Sequence, residues 1–183
     1  MNRSTAVPAL AGPSRGSEAE DAPRRSDQVK RVLVSACLLG ERVRYDGGEK
    51  GSKHPVLLRW LAEGRVVRVC PEVEGGLPVP RPPAERQPDG RMLMKTGLDV
   101  SDAFARGAAE ALQLVREHRI KVAVLKEGSP SCGSGFIYDG SFSKKQLQGE
   151  AGETTRVLRE AGVTVFSELQ WDQAEAALTS AGD

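Results

Sequence analysis

Aromatic side chains make up only 4% of this 183-residue chain, histidine occurs twice, and neither sign of charge dominates, with 26 lysines and arginines against 25 acidic residues. Each shortage excludes something. Without surplus positive charge there is no extended basic field to hold a long nucleic acid by counterion release. No apolar run approaches the roughly 20 residues needed to cross a bilayer, so no membrane partner is expected. The two histidines, His54 and His118, fall where helices are expected to start and end, and read as capping or solvated residues. Cysteine is scarce too, and its count of three is odd. A disulfide framework would leave one thiol unmatched, which points to a reducing, cytoplasmic setting. Residues 1–27 mix Pro, Ala, Gly, Ser and alternating charges without periodicity, so a disordered N-terminal tail is expected there. Residues 28–183 are expected to form a single domain, its core built mainly from Val, Leu and Ala.

Order is expected to begin at 29–36, where Val32, Leu33 and Val34 form a short β-branched run suited to a buried parallel strand. Leu57, Trp60 and Leu61 then share one helical face that Gly64 terminates, and a second strand follows at 65–69. Residues 71–89 hold six of the eleven prolines and read as a stiff, irregular loop. A short edge strand is expected at 91–95, then a helix capped by Ser101 and running to about His118. A third strand (122–126), a hairpin-like stretch (136–142), a short helix capped by Thr154 or Thr155, a fourth strand (163–166) and a last helix (172–181) complete the chain. The alternation predicts an α/β fold, one domain with a mainly parallel sheet, helices on both faces, and a site at the carboxyl ends of the strands.

That layout gives the cysteines meaning, because Cys37, Cys70 and Cys132 each lie in a loop just after an expected strand. Their spacing matches no short zinc or ferredoxin pattern, so convergence in space is what would make a metal site. The competing expectation is that they are small hydrophobes packed under loops.

The segments around them are more specific. Ser35-Ala36-Cys37-Leu38-Leu39-Gly40 with Val43-Arg44-Tyr45-Asp46-Gly47 forms the first block. Cys70-Pro71-Glu72 with Gly75-Gly76-Leu77 and Pro80-Arg81 forms the second, and Leu125-Lys126-Glu127-Gly128-Ser129-Pro130-Ser131-Cys132-Gly133 with Ile137-Tyr138-Asp139-Gly140 the third. Together they resemble the thiouracil desulfurase family over about 31–168. The resemblance implies an enzyme holding a 4Fe-4S cluster on Cys37, Cys70 and Cys132, with one iron left open. It implies a thiolated pyrimidine as the small-molecule partner, from free thiouracil to 4-thiouridine monophosphate. An open iron is a Lewis acid with affinity for soft sulfur, so hydrolytic, non-redox desulfuration to the oxo base with release of sulfide is expected.

Such a step needs proton-handling groups near the cluster. Glu72 and Ser129 are the first candidates, being two residues after and three before a cysteine, and Asp46 is the next. Ser131, Tyr45 and Arg81 are candidates for holding substrate, with Lys144 and Lys145 as further phosphate contacts if they turn inward. Gly133 and Gly135 are expected to let backbone approach the cluster. One stretch departs from the family: Glu150 and Glu153 make the turn at 149–155 acidic, which would disfavour an anionic substrate if that turn bordered the site. The alternatives are a non-catalytic metal-binding or redox-sensing thiol module, and a sulfur-inserting role toward RNA, which the missing basic surface argues against.

Overall fold

Strand periodicity decides the layering. The computed structural model describes residues 29–180, so the expected tail at 1–27 lies outside the described residues. In the first strand, β1 (Val32–Ser35), every residue is buried. Val32 and Val34 face one way, toward Leu57, Trp60, Trp171 and Leu178. Leu33 faces the other way, toward Ala111, Val115 and Leu158. Successive side chains of a strand alternate between faces, so a continuous apolar run requires cover on both sides.

After β1 a 3-10 turn at Ala36–Leu39 carries Cys37, and α1 (Pro55–Ala62) and β2 (Val66–Val69) follow. Next come α2 (Pro71–Glu74), β3 (Ala84–Arg86), β4 (Met92–Met94), α3 (Ser101–Glu117) and β5 (Val122–Leu125). The chain continues with β6 (Phe136–Tyr138), β7 (Gln146–Gln148), α4 (Glu153–Glu160), β8 (Thr164–Ser167) and α5 (Trp171–Ser180). The main sheet is parallel, in the order β2-β1-β5-β8. Helices α1 and α5 cover the Val32 face, and α3 and α4 cover the Leu33 face. The result is the expected single α/β domain. Among the described residues no helix is long and apolar enough to cross a membrane.

Three local expectations are corrected. The proline-rich stretch is not wholly irregular: it opens with α2, and its proline-free residues Ala84–Arg86 pair antiparallel with Met92–Met94. That ribbon stands outside the main sheet, so the neighbouring prolines interrupt no interior ladder. Ser101 is the first residue of α3 rather than its cap; Asp99 accepts from the Ser101 amide at 2.9 Å while the Ser101 hydroxyl accepts from Met92 N at 2.9 Å. Thr154 and Thr155 do not cap α4, which Gly152 precedes. They are buried in its first turn, Thr155 Oγ1 donating to the Cys132 carbonyl at 2.8 Å. His54 does cap α1, its Nδ1 accepting from Val56 N at 3.3 Å.

The short α2 lies directly on α3, and glycine permits it. A Cβ on Gly107 would stand 1.8 Å from the Pro71 carbonyl oxygen, and one on Gly75 would stand 2.0 Å from that of Ala103. Both neighbours are backbone and cannot swing aside. Gly107→Ala is therefore expected to destabilise the protein by about 2 kcal/mol or more, read as a lower Tm on thermal unfolding. An unchanged Tm would show that α2 is free to move.

Candidate active site

Strand β1 is joined forward to β2 on one side, and the chain returns to β5 on its other side. A reversal of this kind opens a crevice beyond the carboxyl ends of the strands. A cavity of about 420 Å³ lies there, and Cys37, Cys70 and Cys132 all line it. All three thiols are free. Cys37 and Cys132 are buried and Cys70 is half-buried.

Burial pushes the Cys37 thiol up to about 11, with the neighbouring Cys70 adding to the rise and Lys126 and Arg44 opposing it. Burial raises Cys132 further; the Ser35 hydroxyl, donating to its Sγ at 3.7 Å, works against this, and the charges of Cys37 and Cys70 add to it. Cys70 is raised mainly by burial as well. The three sulfurs thus feel one another across a shared space. Among the described residues, however, no group of three His, Cys, Asp or Glu side chains gathers tightly enough for a single metal ion.

Glu72 sits on α2, two residues beyond Cys70, and its carboxylate is held on both oxygens. Oε2 accepts from Arg81 Nε at 2.8 Å and from Arg81 Nη2, while Oε1 accepts from the Ser129 hydroxyl at 3.4 Å. Ser129 Oγ in turn accepts from the amides of Ser131 and Cys132, each at 3.1 Å. The guanidinium of Arg81 is 3% exposed and also donates to the carbonyls of Pro78 and Val43. Arg81 lines the cavity, with its donors committed to Glu72 and to backbone carbonyls. Cys70 Sγ donates to the same Val43 carbonyl at 3.8 Å.

Tyr45 lines the cavity from an exposed position, with the Arg44 guanidinium 5.6 Å from its ring centroid. Two candidates fall elsewhere. Asp46 does not line the cavity: Arg44 hydrogen-bonds its carboxylate and holds it down at about 2, while the Gly48 amide closes a turn on Oδ1 at 3.0 Å. Ser131 is fully buried, its hydroxyl 2.8 Å from Thr154 Oγ1, anchoring the cysteine loop to α4. Gly133 serves its own loop, since a Cβ there would stand 2.4 Å from the Phe136 carbonyl oxygen. Glu150 and Glu153 do not line the cavity; they pair with Arg86 and Arg156 at 2.7 Å.

Four residues of the cavity lining were given no role from the sequence: Lys126, Glu127, Lys50 and Lys95. Lys126 lines the cavity and pairs with Glu168 beyond β8, a partnership spanning 42 positions that no local pattern announces. Glu127 is pushed up by burial, but amides of Gly135, Phe136 and Gly128 and the Ser134 hydroxyl outweigh that and keep it low. It ties together the loop that carries Cys132. Lys50 and Lys95 also line the cavity and, like Lys144, pair with no carboxylate among the described residues.

Residues 32–170 match the family model described as 2-thiouracil desulfurase. The chain belongs to that family. A solved structure of the 4Fe-4S-dependent thiouracil desulfidase TudS is 51% identical, with a TM-score of 0.80, covering 83% of this chain and 99% of that one. The uncharacterized protein YbbK of Bacillus subtilis (strain 168) is 38% identical over 146 residues, 75% of this chain and 95% of the relative. The desulfurase family match thus spans all three cysteines, Glu72 and Ser129.

A thiol ionising near 11 rather than 9 offers about 100-fold less thiolate at neutral pH. In metal-stripped protein at pH 7, iodoacetamide is therefore expected to label Cys70 first and Cys37 and Cys132 far more slowly, as read by peptide mass spectrometry. Equal labelling of all three would contradict the burial described.

Proposed function

We propose that this desulfurase carries a 4Fe-4S cluster on Cys37, Cys70 and Cys132 and removes sulfur from a thiolated pyrimidine without redox change. The observation that carries the reading is that three thiols line one cavity together with the linked Glu72 and Ser129. Three thiols leave a zinc ion one protein ligand short of the four that structural zinc takes, and the soft donor set equally suits an iron-sulfur cluster. Soft donors in a buried, reducing site suit iron and sulfide, and free thiols suit a cytoplasmic setting. When bound, the cluster supplies an open, Lewis-acidic iron with affinity for a thiocarbonyl sulfur.

The protein's own groups handle water and protons. Arg81 fixes Glu72 through Oε2, leaving Oε1 as the atom that takes a proton from the attacking water. The Ser129 hydroxyl, locked by two backbone amides, orients that oxygen, and in this reading it passes a proton to the departing sulfur. Water adds oxygen to the ring carbon, the carbon–sulfur bond breaks, and the products are the oxo base and hydrogen sulfide. Electrons balance without an external donor. Tyr45 offers a face to the pyrimidine ring at the rim.

Lys50, Lys95 and Lys144 favour a substrate bearing negative charge. The acidic turn at 149–155, standing away from the cavity, does not oppose it. We therefore favour 4-thiouridine monophosphate over free thiouracil. A purely structural thiol module has no use for a carboxylate and hydroxyl held beside its ligands.

The test is anaerobic reconstitution, incubation with 2-thiouracil, 4-thiouracil or 4-thiouridine monophosphate, and measurement of hydrogen sulfide. The nucleotide is expected to react with the highest kcat/KM. Glu72→Gln and Ser129→Ala are expected to keep wild-type iron while turnover falls about 100-fold or more. Wild-type rates in both would remove them from the mechanism, and no sulfide from any compound would sink the reading.

A further inference from the structure

The loop joining β6 to β7, which lines the same cavity as the cysteines, has an unusual backbone. Within five residues, Gly140, Phe142 and Lys144 all adopt positive φ, at 89°, 56° and 65°. For phenylalanine and lysine this is a conformation that surrounding structure must impose. Both side chains line the cavity.

The imposing group is Glu85, a residue of β3 that is only 8% exposed and pairs with no cation among the described residues. Its Oε2 accepts from Gly140 N at 3.0 Å and from Phe142 N at 2.9 Å. Gln87 Nε2 donates to the Gly140 carbonyl at 3.2 Å, adding a second tie to the same ribbon. Asp139 accepts from Ser141 N at 3.0 Å and closes the base of the loop. Two loop amides converging on one oxygen of a mostly buried carboxylate favour one loop geometry, because either amide would lose its partner if the loop swung away.

We propose that Glu85 is a positioning residue that latches this loop over the cavity, holding Lys144 where it receives the phosphate of a nucleotide substrate. Selectivity for nucleotide over free base then depends on a residue outside the cysteine motifs. This rests on the nucleotide reading above. The latch uses an acceptor oxygen, so glutamine in place of Glu85 retains it and alanine does not.

The probes are uridine monophosphate and uracil, which carry no sulfur, titrated calorimetrically into holoenzyme. Wild type is expected to bind the nucleotide more tightly than the base. Glu85→Ala is expected to weaken nucleotide binding about tenfold or more, with Glu85→Gln within about threefold of wild type. In turnover, Glu85→Ala should raise KM for 4-thiouridine monophosphate more than it lowers kcat. Gly140→Ala reaches the same loop independently, since its Cβ would stand 2.8 Å from the Arg86 carbonyl oxygen; it should share the alanine phenotype even if Glu85→Ala fails to fold. If wild type shows no preference for the nucleotide, the nucleotide reading fails. If wild type prefers it but Gly140→Ala binds it equally well, or Glu85→Gln is as weak as Glu85→Ala, the latch is overturned.

Discussion

Parallel strands present their carboxyl ends along one edge, and each cysteine-bearing loop of this protein leaves from that edge. The order β2-β1-β5-β8 sets the edge of β2, β1 and β5 around one crevice, and each of those strands delivers one cysteine to it. The loops are short, so the thiols inherit the rigidity of the sheet. Cys37 lies in the 3-10 turn that follows β1, Cys70 follows β2 directly, and Cys132 returns after β5 through a loop laced by Glu127, Thr155 and Ser129. The sheet in turn depends on apolar cover from both sides, which the unbroken Val32-Leu33-Val34 run supplies.

Within that frame, Arg81 binds separate segments into one wall. Its guanidinium reaches Glu72 on α2, the Val43 carbonyl in the loop after β1, and Pro78 in its own loop. A buried pair of this kind adds little net stability, yet removing one partner strands the other and costs about 3–5 kcal/mol. The pair is better understood as holding Glu72 in one orientation than as a stabilising ornament. Close glycine contacts between α2 and α3 press Glu72 and Cys70 against the domain from behind.

Much of this was legible in the sequence because it rests on local patterns. Strand-length apolar runs, helical stripes and three cysteine-bearing loops can all be read without knowing what lies opposite. Most of what escaped was set by partners far along the chain. Ser131 lies within the most informative motif, but its hydroxyl is spent on Thr154, so motif membership did not translate into access to the cavity. Asp46, two residues from Arg44, formed a turn and an ion pair rather than facing the site. Strand β4 matches the strand expected at 91–95, but its partner β3 hid among prolines because three residues carry too little periodicity to be seen. Lys126 with Glu168 and Glu85 with the β6–β7 loop are long-range pairings that only the fold brings together.

The central claim is that Cys37, Cys70 and Cys132 jointly hold one iron-sulfur cube. The most direct measurement is iron and acid-labile sulfide content, with visible absorption, after anaerobic reconstitution of the wild type and of Cys37→Ala, Cys70→Ala and Cys132→Ala. The wild type is expected to bind about four irons and four sulfides per chain and to be brown, while each variant loses the cluster or most of it. A colourless wild type holding one zinc, or full iron retention in any of the three variants, would contradict the account.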